Sequence, residues 1–167
     1  MKKLLALLMV LCMIFSLTAC AQSEAKKELA DAESQLKDAA DSGDLDDLTG
    51  ALDDYTDKAE DAGATTNMDA KKVVDFLVNS DEWKTQMESM KEQGQSCVLE
   101  ARDNYLTYVY QYSFDINDLN TVKANLDASK DSLKSLADSL TRVYTGIDGV
   151  IFEYRAKDGS VIGTYTF

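Results

Sequence analysis

The sequence predicts an α+β fold: an acidic helical segment, then helix–helix, β-hairpin, long helix and β-hairpin, with a four-stranded antiparallel sheet packed on the long helix. Three observations carry this expectation. Apolar residues recur at steps of three and four in residues 24–62, 69–90 and 119–143, the period of a helix face. The period falls to two in residues 97–114 and 150–167, as in half-buried strands. The turn-forming pairs Asp103-Asn104 and Asp158-Gly159 divide those two stretches.

In chain order, the first element is a leader. Lys2 and Lys3 precede an apolar run from Leu4 to Leu17, interrupted only by Ser16 and the weakly polar Cys12. A charged start, an apolar run and small residues before a cut form the pattern of a secretory signal. As a helix the run spans about 21 Å, too short for a hydrocarbon core of roughly 30 Å. It ends in Leu17-Thr18-Ala19-Cys20, which resembles the bacterial lipobox. The resemblance implies that the Cys20 thiol takes a diacylglyceryl group as a thioether and that a dedicated peptidase cuts between Ala19 and Cys20. Two acyl chains meet the energetic requirement for stable anchoring, which one does not. The expected location is therefore the outer face of the cytoplasmic membrane, held by lipid on Cys20.

Residues 20–67 read as an acidic helical stalk or spacer. Leu29 and Leu36 stand seven apart, and Leu45, Leu48, Leu52, Tyr55 and Ala59 follow a 3-4-3-4 spacing, so each segment has a narrow apolar seam. Asp41-Ser42-Gly43-Asp44 breaks the first helix and supplies a cap, Asp44 or Ser42, for the second. A hairpin, an extended stalk and a coiled coil with a second copy all fit this pattern.

Residues 68–167 read as the α+β domain. Asp69 caps a helix carrying Val73, Val74, Phe76, Leu77 and Val78. Ser80 caps a second, with Trp83, Met87 and Met90 on one side, and Gly94 ends it. In the first β-hairpin Leu99 faces Tyr108 and Ala101 faces Leu106. The long helix begins at Asp118 and holds a seam of Leu119, Val122, Leu126, Leu133, Leu136, Leu140 and Val143, with Ser129 filling one position. In the last hairpin Phe152 faces Tyr165 and Val150 faces Phe167. The opposite sheet face carries Glu100, Arg102, Thr107, Gln111, Glu153, Arg155, Thr164 and Thr166. Val98, Val109, Ile151 and Ile162 interrupt it; either the preceding helices cover these four, or they form an exposed ligand or partner surface.

The globular region also resembles a known family. Val73-Val74-Asp75-Phe76-Leu77-Val78-Asn79-Ser80-Asp81-Glu82-Trp83-Lys84 is followed by a Tyr-rich hairpin, a Leu-rich helix and a closing hairpin with Asp158-Gly159. This arrangement resembles the small Gram-positive lipoproteins grouped as domain of unknown function 4854, over about residues 68–167 together with the leader. Its most specific piece is the Phe-Leu-x-x-Ser-x-x-Trp-Lys stretch. The resemblance implies a Gram-positive host and a single domain, and brings no activity or site residue.

Composition excludes several chemistries. The chain holds 30 acidic and 17 basic residues. Removal of residues 1–19, which carry two lysines and no acid, leaves a net charge of −15. Nucleic acid and anionic lipid would both be repelled. The chain has no histidine, which removes Ser-His-Asp and Cys-His systems and the usual zinc hydrolase sites. Cys97 is the one thiol left after Cys12 departs and Cys20 is acylated, and its place on an apolar strand face marks it as core. Tyr108, Tyr110 and Tyr112 share that face and are read as core rather than a glycan platform. Ser34-Gln35-Leu36-Lys37 matches Ser-x-x-Lys but lacks the accompanying motifs. Asp41, Asp44, Asp46, Asp47, Asp53, Asp54 and Asp57 do not keep EF-hand spacing and are read as a solvated face, with weak calcium association left open. No cofactor or metal is expected.

Two functions fit. The first is a non-enzymatic surface lipoprotein whose domain binds a protein, peptide or cell-envelope component, for example by strand addition at a sheet edge. The second is a carboxylate-dependent enzyme acting on envelope glycans, which needs two acids across a cleft and would draw on Glu100 and Glu153.

Overall fold

The computed structural model describes residues 23–42, 45–61, 63 and 65–167. The residues read as a leader, among them Leu17, Thr18, Ala19 and Cys20, and the capping candidate Asp44 lie outside the described residues.

Six helices and four strands follow in order among the described residues: α1 (Ser23–Ser42), α2 (Leu45–Asp61), α3 (Ala70–Val78), α4 (Asp81–Glu92), β1 (Gln95–Arg102), β2 (Tyr105–Tyr112), α5 (Leu119–Ala128), α6 (Lys130–Val143), β3 (Gly149–Arg155) and β4 (Val161–Thr166). The α+β class agrees with expectation. Three helix starts are built as the capping residues dictate. Asp69 accepts from the Lys72 amide, Ser80 from the Trp83 amide, and Asp118 from the amides of Asn120 and Thr121. Asp103 adopts φ 54° in the β1–β2 turn, a left-handed conformation that Asp tolerates.

The two hairpins have the expected registers. Leu99 faces Tyr108, Ala101 faces Leu106, and Phe152 faces Tyr165. Val150 and Phe167 exchange backbone hydrogen bonds. The junction between the hairpins differs from expectation. The sheet order is β1-β2-β3-β4, but β2 and β3 run parallel, so the sheet is mixed rather than wholly antiparallel. The cause is the crossover: α5 and α6 carry the chain from the end of β2 back to the end where β2 began, and a strand entered from there runs alongside β2. Turn residues determine pairing only within each hairpin and are silent about this junction.

The long helix is two. Ser129 ends α5, where its hydroxyl bonds the Asn125 carbonyl and its amide the Leu126 carbonyl, and it immediately precedes α6. A Ser that bonds the preceding turn competes with the helical ladder and favours a bend.

One core cluster unites the inner sheet face with the helices. Leu99, Leu106, Tyr108, Tyr110, Val150, Phe152, Tyr154 and Tyr165 point into it. They meet Val73 and Leu77 from α3, Trp83 and Met90 from α4, Leu126 from α5, and Leu133, Leu136, Leu140 and Val143 from α6. The acidic pair joins the same cluster. Leu29, Ala32 and Leu36 of α1 and Leu52, Tyr55 and Ala59 of α2 are buried, and α2 packs on α6. Arg142 of α6 donates to Glu60 at 2.9 Å and also to Asp57. Of the three arrangements that the sequence left open for residues 24–62, α1 and α2 form the side-by-side pair.

Candidate functional site

The outer face of the sheet is turned away from the helix-packed core cluster. Strand alternation brings Val98, Val109, Glu153 and Thr164 into one cross-strand row, and Glu100, Thr107, Ile151 and Thr166 into the next. None of these eight belongs to the helix-packed core cluster. Instead, long charged side chains bridge across part of the face, while Val98, Thr164 and Thr166 stay exposed. Arg102 donates to Glu153 at 2.6 Å and to Glu100, and Arg155 donates to Glu153 at 2.7 Å. Thr107 lies midway between Arg102 and Glu153 in the sheet register, so the bridge passes over it. This explains why Thr107 is fully buried on a face turned away from the core cluster.

The ladder also determines what the carboxylates can do. Hydrogen bonds from Arg102, followed by those from Arg155, hold the Glu153 carboxyl below its ordinary pKa against the opposing effect of burial. A general acid needs a raised value, and Glu153 is shifted the opposite way. Glu100 shares Arg102 with it, and the pair brackets a guanidinium rather than a space for substrate.

The four apolar residues on this face have separate fates. Val98 is 57% exposed, Val109 is buried, and Ile151 is half-buried. Ile162 packs against the core cluster instead. The pairing shifts register there: Gly163 faces Tyr154 while Val161 faces Arg155, which leaves Ile162 as the extra residue of a bulge. The bulge breaks the alternation on which its outward assignment rested. Val98 and Val161, which faces Arg155, are both 57% exposed, and each lies on an edge strand.

The inner face holds the groups read as core. Cys97 is buried, which pushes its thiol up to about 12. Tyr108 stacks on Phe152 at 5.5 Å and Tyr110 on Tyr154 at 5.1 Å, and Trp83 lies against Tyr108 at 6.4 Å. Tyr112, at the strand end, is half-buried. Burial raises the Tyr110 and Tyr154 hydroxyls well above their usual range. Tyr165 donates to Asp127 at 2.7 Å and thereby fastens β4 to α5. The Arg102–Glu153–Arg155 ladder and this Tyr165–Asp127 link went unread in the sequence; opposite charges on one predicted strand face were the available signal for the ladder.

Among the described residues, no group of acidic or cysteine side chains converges as metal ligands would, and no helix is long and apolar enough to cross a membrane. Asp54 pairs with Lys58, and Asp57 with Arg142.

No curated protein and no solved structure matches the chain. Residues 74–167, which contain α4, α5, α6, most of α3 and all four strands, match the model of the family described as Domain of unknown function (DUF4854), and the chain belongs to that family.

Proposed function

We propose that this chain is a lipid-anchored extracytoplasmic lipoprotein of the outer face of the cytoplasmic membrane, and that its α+β domain is a non-enzymatic interaction module. The observation that carries the anchoring is Leu17-Thr18-Ala19-Cys20 placed directly after a short apolar run that follows two lysines. The acidic helical pair stands between that anchor and the domain. Its charge argues against nucleic acid as a partner.

Three features support binding over catalysis. The chain has no histidine, and among the described residues the free thiol of Cys97 is buried among apolar residues and the most enclosed carboxylate, Glu153, is neutralised by two arginines. A broad sheet face and the β1 edge beside Val98 suit a protein, peptide or envelope component. β1 is eight residues long and has no proline, lysine or bulge to blunt its pairing groups, whereas β4 is irregular opposite Arg155.

The test is crosslinking in intact cells followed by capture of the protein, with Val98→Lys as the comparison. A partner captured by the parent chain and lost with V98K supports a β1-edge interface. An unchanged partner set removes that surface from the proposal. Loss of fatty-acid incorporation and of membrane fractionation in Cys20→Ala supports the anchor; retention of both contradicts it.

A further inference from the structure

The acidic pair has a direction, and that direction orients the molecule. Only two residues separate Ser42 from Leu45, and α1 and α2 lie side by side over a shared apolar seam. So short a connection between packed helices reverses the chain. With 20 and 17 residues, α1 covers about 30 Å and α2 returns about 25 Å. Ser23 therefore lies level with the C-terminal end of α2.

That end is tied to one pole of the domain. Arg142, in the last turn of α6, donates to Asp57 and Glu60. Thr66 forms a parallel bridge with Tyr144, its amide bonding the Val143 carbonyl at 2.8 Å. The same pole holds the β1–β2 turn: the Asn104 side chain accepts from the Ala70 amide at 3.1 Å and donates to the Gly146 carbonyl at 2.9 Å. The opposite pole, an eight-residue strand or about 26 Å away, carries half-exposed Phe114 and Val161 and the Lys157–Asp115 ion pair.

Cys20 precedes Ser23 by three residues, a reach of at most about 11 Å. We infer that the helical pair doubles back on the anchor, so that the pole with Asp103, Asn104 and Thr145 faces the lipid bilayer and the pole with Phe114 and Val161 faces outward. The inference rests on the acylation of Cys20 proposed above and changes the role of the acidic segment. Rather than holding the domain at the full length of a stalk, it positions it beside the membrane in one orientation. Asp69 is paired with Lys72, and exposed Asp61, Asp103 and Asp148 outnumber exposed Lys71, so this pole presents a net negative charge that opposes adsorption to anionic headgroups. Partners then meet the outward pole and the sheet.

The experiment uses the lipidated full-length product, reconstituted into phosphatidylcholine vesicles that carry a headgroup-attached fluorescence quencher. Single reporter cysteines are placed at Asp103, Thr145 or Asp158 in a Cys97→Ala background. Severalfold stronger quenching at positions 103 and 145 than at 158 is expected; equal quenching, or stronger quenching at 158, overturns the inference. A second measurement in detergent compares spin-label distances from Lys27→Cys to Asp103→Cys and to Asp158→Cys. The shorter distance is expected to Asp103, and the reverse order overturns the doubling back even with lipid present. Absence of lipid on Cys20 would instead bring down the anchoring, and the orientation with it, whatever the distance order.

Discussion

Thr107 and Glu153 lie under and within the same ladder of charged side chains, yet they contribute in opposite senses. The Thr107 hydroxyl is buried with no hydrogen-bond partner among the described residues. A buried polar group left unpaired costs about 1–3 kcal/mol, and an apolar group of the same shape avoids that penalty. Thr107→Val is therefore expected to raise the urea midpoint, by about 1 kcal/mol of stability. A loss of similar size would mean that the hydroxyl has a partner. Glu153 is the reverse case, since its charge is used by two arginines. Its folded pKa lies below the ordinary 4.5. Its stabilisation is thus fully present above that value and fades as pH falls through the lowered one. Glu153→Gln should destabilise by roughly 1.5–3 kcal/mol at neutral pH and flatten the acid limb of the stability profile. Equal loss at pH 7 and pH 2 would contradict the ladder. Cys97 offers a third test. With its thiol at about 12 and its side chain in the core, it should resist a disulfide reagent at pH 8 in the folded protein and react on unfolding.

At the scale of elements, legibility followed the range of the interaction that fixes each one. Asp69, Ser80 and Asp118 cap helices through bonds two or three residues away, and Asp103-Asn104 and Asp158-Gly159 close local hairpins, so these features could be read directly from the chain. The parallel β2–β3 junction depends on where two helices deliver the chain, and no residue in either strand records that. The break at Ser129 was masked because Leu126 and Leu133 keep the seam spacing across it. The docking of α2 on α6 was hidden for a related reason: a narrow seam predicts a partner without naming it. Two substitutions separate the forces in that docking. Arg142, Asp57 and Glu60 are all more than a third exposed, and such pairs contribute at most about 1 kcal/mol. Tyr55 is 2% exposed, and truncating a buried aromatic costs about 3–5 kcal/mol. Tyr55→Ala should therefore release α1 and α2 to hydrogen exchange far more than Arg142→Met. The opposite order would make the contact electrostatic.

For the whole molecule, the family match and the folded unit do not share a boundary. The match begins at residue 74, within α3, whereas the apolar cluster runs back to Leu29. A chain lacking residues 21–67 would uncover the α6 surface that α2 occupies, so it is expected to be less stable and more prone to associate than the parent. The candidate surface was legible only in part. Charged strand positions announced an outer face, but the assignment of Val98, Val109, Ile151 and Ile162 to one groove presumed an unbroken alternation, and neither the bulge at Ile162 nor the burial of Val109 can be read from a period of two. The proposed function rests mainly on the N-terminal stretch read as a leader, where four consecutive residues resemble a lipobox. The most direct measurement is therefore the intact mass of the N-terminal peptide from membrane-extracted protein. The expected peptide begins at Cys20 and carries the mass of a diacylglyceryl group, and Cys20→Ala abolishes it. A mature protein cut elsewhere, or one beginning at Cys20 without lipid, would contradict the anchored lipoprotein.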